Sequence, residues 1–282
     1  MSAFGFGGIV YGFSSAGEGH GDWSSPGVLI PILVGGVALL WFVLRQLSLK
    51  QPMLDLRAFK SFTFSLSVII MLIVMMAMFS TMMLVPIFLQ NALHYSPLEA
   101  GLAMLPGGVV MGIMSPITGR LFDRFGARGL ALVGLLLLSG GLVGFAFMTL
   151  SISYITIMLL NTLFMLGISM LMMPVMTNGL NGLKPALYPH GTAIVGTIQQ
   201  VGGAVGMALL VTIMTTGAAQ YASDAAATVA AADLPALSLA AGMRQAFLLA
   251  LGLVAIALVL ALFFLKRTQP ESGGEMQQVH AH

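Results

Sequence analysis

The stretch GRLFDRFGAR, residues 119–128, gathers Arg120, Asp123, Arg124 and Arg128 into nine positions. No Asp, Glu, Lys or Arg occurs from Gly101 to Gly119 or from Gly129 to Leu183, so the four charges stand between two long uncharged runs. Guanidinium and carboxylate groups so placed can make charge-assisted bonds to each other, to a helix terminus or to anionic headgroups, and can release them again. Gly119 would let two helices approach closely, and Gly126 would permit a tight reversal. Asp123 is suited to face the positive N-terminal end of a neighbouring helix. That is the chemistry of a latch that biases a two-state gate. The plainer reading, arginines that only hold a loop at a membrane surface, needs no Gly-Asp-Arg-Gly spacing.

Other polar groups are sparse. Asn161, Gln199 and Gln200 fall inside apolar runs, with Gln90 and Asn91 near the end of another. A polar side chain at membrane depth must be paired or wetted, so these residues, with Met165, are candidates to line a substrate cavity or to bond to neighbouring helices. The 22 Met residues suit a pocket for differently shaped lipophilic molecules, and serve equally as lipid-facing filler. None of the nine Asp and Glu lies mid-span, so the chain carries no evident proton relay. With no Cys, no phosphate-cradling Gly-Lys loop, no HExxH and no buried Ser-His pair, neither enzyme chemistry nor a metal or cofactor is expected.

The elements that hold these groups follow from composition. The 282 residues are 58% hydrophobic and only 7% charged, unlike a water-soluble domain. A bilayer core about 30 Å thick needs roughly 20 apolar residues in helical form. Runs of that kind occur at Pro26–Leu44, Phe62–Leu89, Leu98–Gly119, Gly129–Met148, Ile152–Met176, Thr192–Thr216 and Met243–Leu265. The expected fold is therefore all-α, a polytopic transmembrane bundle, and not a β-barrel. Small residues at i and i+4 (Gly8/Gly12, Gly108/Gly112, Gly140/Gly144, Gly202/Gly206) suit close helix packing. Pro86, Pro106, Pro116 and Pro174 lie in or near spans, where they bend helices.

Ten of the eleven Lys and Arg fall in alternate connections, on one side: Arg45, Lys50, Arg57, Lys60, Arg120, Arg124, Arg128, Lys184, Lys266 and Arg267. The other side holds Glu18, Asp22, Glu99, Asp224 and Asp233, with Arg244 its sole basic residue. The positive-inside rule puts GRLFDRFGAR and the C-terminus at the cytoplasmic face of a cell membrane, in contact with lipid and not with nucleic acid. The expected organisation is a truncated transmembrane helix at 1–16, or else an interfacial or re-entrant segment there. Residues 17–60 give an external loop, one extra span and a cytoplasmic linker; 61–267 form a six-helix unit; 268–282 form a cytoplasmic tail.

The set Gly119, Asp123, Arg124, Gly126 and Arg128 resembles the loop signature of the major facilitator superfamily. GEGHGDWSSPGVL, QPMLDLRAFKSFTFSLS, LVPIFLQNALHYSPLEAGLAMLPGG and HGTAIVGTIQQVGGAVGMALL resemble its fourteen-span drug:proton antiporter branch, in order and over nearly the whole chain. The resemblance implies the C-terminal half of a multidrug efflux permease of the inner membrane. It implies one wall of a cavity for a lipophilic substrate and a gating loop. Protons and a missing N-terminal half carrying the coupling carboxylates are implied as partners, so the chain alone is not competent. A non-transporting subunit that docks on another carrier is the alternative.

Overall fold

The computed structural model describes residues 5, 7, 8, 11, 12, 25–48, 55–226 and 229–264. Most of the expected helix fragment at 1–16, the loop with Glu18 and Asp22, Lys50, and Lys266 and Arg267 with the 268–282 tail lie outside them. The described residues are all-α: α1 (Pro26–Ser48), α2 (Phe62–Asn91), α3 (Pro97–Ala146), α4 (Tyr154–Asn181), α5 (Tyr188–Ala225) and α6 (Leu234–Phe264). Short 3-10 turns, Leu56–Lys60 and Pro185–Leu187, sit in the links before α2 and α5. From α2 onward every helix is long and apolar enough to cross a bilayer.

Local chemistry sets where the helices start. Ser61 caps α2 by accepting from the Phe64 N–H at 3.4 Å. At α3, the Ser96 hydroxyl accepts from the Glu99 N–H while the Glu99 carboxylate accepts from the Ser96 N–H, with Pro97 as the first helical residue. This reciprocal box satisfies two amides that the helix itself leaves unpaired. Pro86, Pro106, Pro116 and Pro174 are all carried inside their helices without ending them.

At 50 residues, α3 would be about 75 Å long if straight, more than twice a bilayer core. It is not straight. Gly126 adopts φ 73°, ψ 170° and divides it into arms 97–125 and 127–146. Backbone at that φ suits glycine because any Cβ would crowd the chain. The contacts of α4 reveal the direction of each arm. Gly107 and Gly119 on the first arm lie against Asn161 and Met173, so that arm and α4 run the same way. Gly144, Gly141 and Gly134 on the second lie against Leu160, Phe164 and Leu171, so it runs the opposite way. The chain reverses at one buried residue. Two spans exist where two were expected, but the ten-residue turn drawn between them does not, because helix continues to the corner.

The remaining helices extend this alternation. The Ser61 hydroxyl donates to the Gly182 carbonyl at 2.8 Å, and Gly179 lies against Ser67, which sets α2 and α4 antiparallel. Gly191, Gly202 and Gly206 meet Phe64, Leu72 and Met76, which makes α2 and α5 parallel. Phe145 stacks on Phe247 at 5.3 Å, and Arg128 reaches Leu262, so the second arm and α6 are antiparallel. Among the described residues, α2 to α6 make six crossings, since α3 supplies two.

Lipid tails are as apolar as leucine, so close packing and interhelical bonds, more than hydrophobic burial, hold such a bundle together. One close seam joins the second arm to α4. There a Cβ on Gly167 would come within 2.6 Å of the Leu138 amide nitrogen and 2.7 Å of the Gly134 carbonyl oxygen. Around it Phe145 and Phe164 meet edge to face at 6.2 Å.

Candidate transport site

At one end of the bundle lie the start of α2, the corner at Gly126, the end of α4, the start of α5 and the end of α6. Arg57, Lys60, Arg120, Arg124, Arg128 and Lys184 all belong to that end, while Glu99, Asp224, Asp233 and Arg244 belong to the opposite one. The charge asymmetry counted along the chain is thus an asymmetry in space.

Within GRLFDRFGAR the roles divide. Arg128 is half-buried, and its guanidinium donates to the Leu262 carbonyl at 2.6 Å. That carbonyl belongs to α6 near its basic end, so the guanidinium ties the second α3 arm to α6 through a charge-assisted hydrogen bond. Arg120, Asp123 and Arg124 are exposed. Arg124 lies over the Phe125 ring at 5.5 Å; Asp123 makes no hydrogen bond or ion pair with a described residue. Gly119 is looser than its motif suggests, with the Met173 sulfur 3.8 Å from where a Cβ would stand. Gly126 takes a φ of 73° at the corner.

The candidate cavity residues do not converge on one place. Asn161 is fully buried, and its Nδ2 donates to the Met104 carbonyl at 3.3 Å across the α3–α4 contact. Gly107 makes room for it; a Cβ there would stand 2.5 Å from Nδ2 and 3.0 Å from Met165 Cγ. Asn161 thus sits in a helix-packing contact with Met165 half-buried beside it, although Asn161 Oδ1 is buried without a partner among the described residues. Gln199 is half-buried with its Nε2 4.0 Å from the Met71 sulfur, and Gln200 is exposed beside it on α5. Gln90 and Asn91 close α2 at the acidic end. Counting 1.5 Å per residue, Asn161 lies about 11 Å in from the acidic end of α4, whereas Gln199 pairs with Met71 about 14 Å in from the basic end of α2.

The packing glycines also divide. Gly202 and Gly206 abut Leu72 and Met76, but Gly108 and Gly112 are exposed, a methyl on either would meet nothing within 4 Å, and Gly107 makes the contact instead. Gly8 and Gly12 lie against Pro31, Gly35 and Ile32 of α1. Sequence reasoning passed over Gly134 with Gly167, and Gly242 against the Met214 carbonyl. Gly134 and Gly167 pair across helices with no small residue four positions away, whereas Gly242 stands four positions from both Ser238 and Ala246.

Residues 1–207 match the sequence profile of the Major Facilitator Superfamily. The chain belongs to that superfamily. Its relatives include the lincomycin resistance protein LmrB of Bacillus subtilis, 46% identical over 95% of this chain and 56% of its own length. The multidrug resistance protein B homolog of Mycobacterium tuberculosis is 30% identical over 73% of this chain and 39% of its own. The puromycin resistance protein pur8 of Streptomyces alboniger is 32% identical over 77% and 43% respectively. The chain therefore spans about half the length of the curated relatives it matches. As a member of this superfamily with these spans, it is a multi-pass membrane protein.

Proposed function

We propose that this chain is the C-terminal half of a proton-coupled exporter of drugs or other lipophilic compounds, a carrier and not an enzyme. It supplies one wall of the substrate cavity and one gating corner, and it requires an N-terminal half for coupled transport. The observation that carries this reading is the match of nearly the whole chain to about half of a lincomycin resistance protein. Charge supports it: Arg120, Asp123 and Arg124 stand exposed at one end, ready to pair with a second half when the halves close and to part when they open. Gly108 and Gly112 form an open face that a second half would cover. With most of its basic residues at that end, the corner faces the cytoplasm, as does the C-terminus.

Efflux of a lipophilic dye from cells making the chain alone, and with a complementary N-terminal half, tests the reading. Export is expected only from the pair, and the Asp123→Asn pair is expected to lose most of it while assembling normally. Gradient-dependent export by the lone chain would overturn the claim of incompetence.

A further inference from the structure

Arg244 is set apart by sequence as the one basic residue on the acidic side, and the gating reading leaves it without a task. In the structure it borders a cavity of about 470 Å³ at the acidic end, formed by the end of the second α3 arm, the 147–153 link, α5 and α6. Its guanidinium lies over the Phe147 ring at 5.4 Å, which fixes the fork in the cavity mouth. It is exposed and makes no hydrogen bond or ion pair with any described residue, so its N–H donors are open.

The other polar groups in the wall are hydroxyls, of Thr149, Ser151 and Tyr221; the lining contains no carboxylate. Thr149 Oγ1 and Ser151 Oγ lie 3.1 Å apart, side by side. A guanidinium with nearby hydroxyls is a donor set for an oxyanion. The rest of the wall, including Met148, Leu150 and Leu237, is apolar. A ligand for this cavity therefore joins an oxyanion to an apolar body.

Depth narrows the class. From Arg244 to Leu262, the carbonyl held by Arg128, is eighteen residues of α6, or about 27 Å at 1.5 Å each, close to the roughly 30 Å hydrocarbon core. The two arginines thus mark two headgroup levels, and the cavity lies at the level of the acidic-end leaflet. We propose that it is a binding site for an anionic phospholipid of that leaflet, with the phosphate on Arg244 and the hydroxyls, and the upper acyl chains against Leu150 and Leu237. A zwitterionic lipid fits less well, because no carboxylate in the wall would receive its ammonium and the Phe147 ring is already taken.

Native mass spectrometry of the full chain, purified from bilayers of phosphatidylglycerol and phosphatidylcholine in equal parts, tests this. Retention of phosphatidylglycerol over phosphatidylcholine is expected, with Arg244→Gln lowering it about tenfold and Arg244→Lys restoring part of it. Equal retention of the two lipids, or undiminished retention in Arg244→Gln, would overturn the site. So would displacement of the lipid by excess inorganic phosphate, which would make a free anion the ligand. If Arg244→Gln fails to fold, judged by thermal unfolding in pure phosphatidylcholine, the Thr149→Val/Ser151→Ala pair carries the same expectation.

Discussion

The two arms of α3 are built from the same material and meet opposite fates. Both are glycine-rich and apolar, and they share one corner. On the second arm Gly134, Gly141 and Gly144 are each filled by α4, down to backbone contact at Gly167. On the first, Gly101, Gly108 and Gly112 face nothing within 4 Å, and Leu98, Leu105 and Ile113 are exposed around them. A glycine stripe thus states that a close approach is permitted. Which helix takes it up is decided by topology.

Substitutions can break or sharpen that contrast. Gly167→Val should have the largest effect on the isolated chain, about 3 kcal/mol of destabilisation, because the new side chain meets the Leu138 amide and Gly134 carbonyl, which cannot yield without parting the helices. Equilibrium unfolding in micelles would measure it. Gly126→Ala comes next at about 2 kcal/mol, the cost of holding an alanine at a φ of 73°. Its signature is loss of the hairpin between the arms, read by the distance between spin labels at Leu98 and Phe147. Arg128→Gln should lose about 1 kcal/mol, visible as faster amide exchange in the last turn of α6 and not elsewhere. Gly108→Ala and Gly112→Ala should shift unfolding by no more than about 0.5 kcal/mol. A bulkier Gly112→Leu should leave the lone chain intact yet abolish export by the paired halves. A large loss of stability in the lone Gly112→Ala chain would mean that its face is already used.

Most of the fold was legible because bilayer crossing imposes length and hydropathy on a chain regardless of its partners. All six spans after Ser61 were legible, although helix ends were less so: α6 begins at Leu234, nine residues before the apolar run that starts at Met243. Ala and Leu between those points continue a helix beyond the hydrocarbon without the sustained hydropathy that marks a span. The site was less legible. Asn161 looks like a cavity residue by depth and polarity, but whether it faces a lumen or a neighbour depends on rotation about α4, which a nearly uniform apolar helix does not encode. Arg128 looked like a member of the latch; its tie to Leu262 spans 134 positions and leaves no local mark.

The corner at Gly126 also acts as a register pin. With 3.6 residues per turn, one residue added beside it would rotate the following arm by about 100°, carrying Gly134 out from beneath Gly167. Any epitope, label or fusion inserted at this end of the molecule therefore belongs in the link before α2 or the link before α5, where added length winds no span out of place.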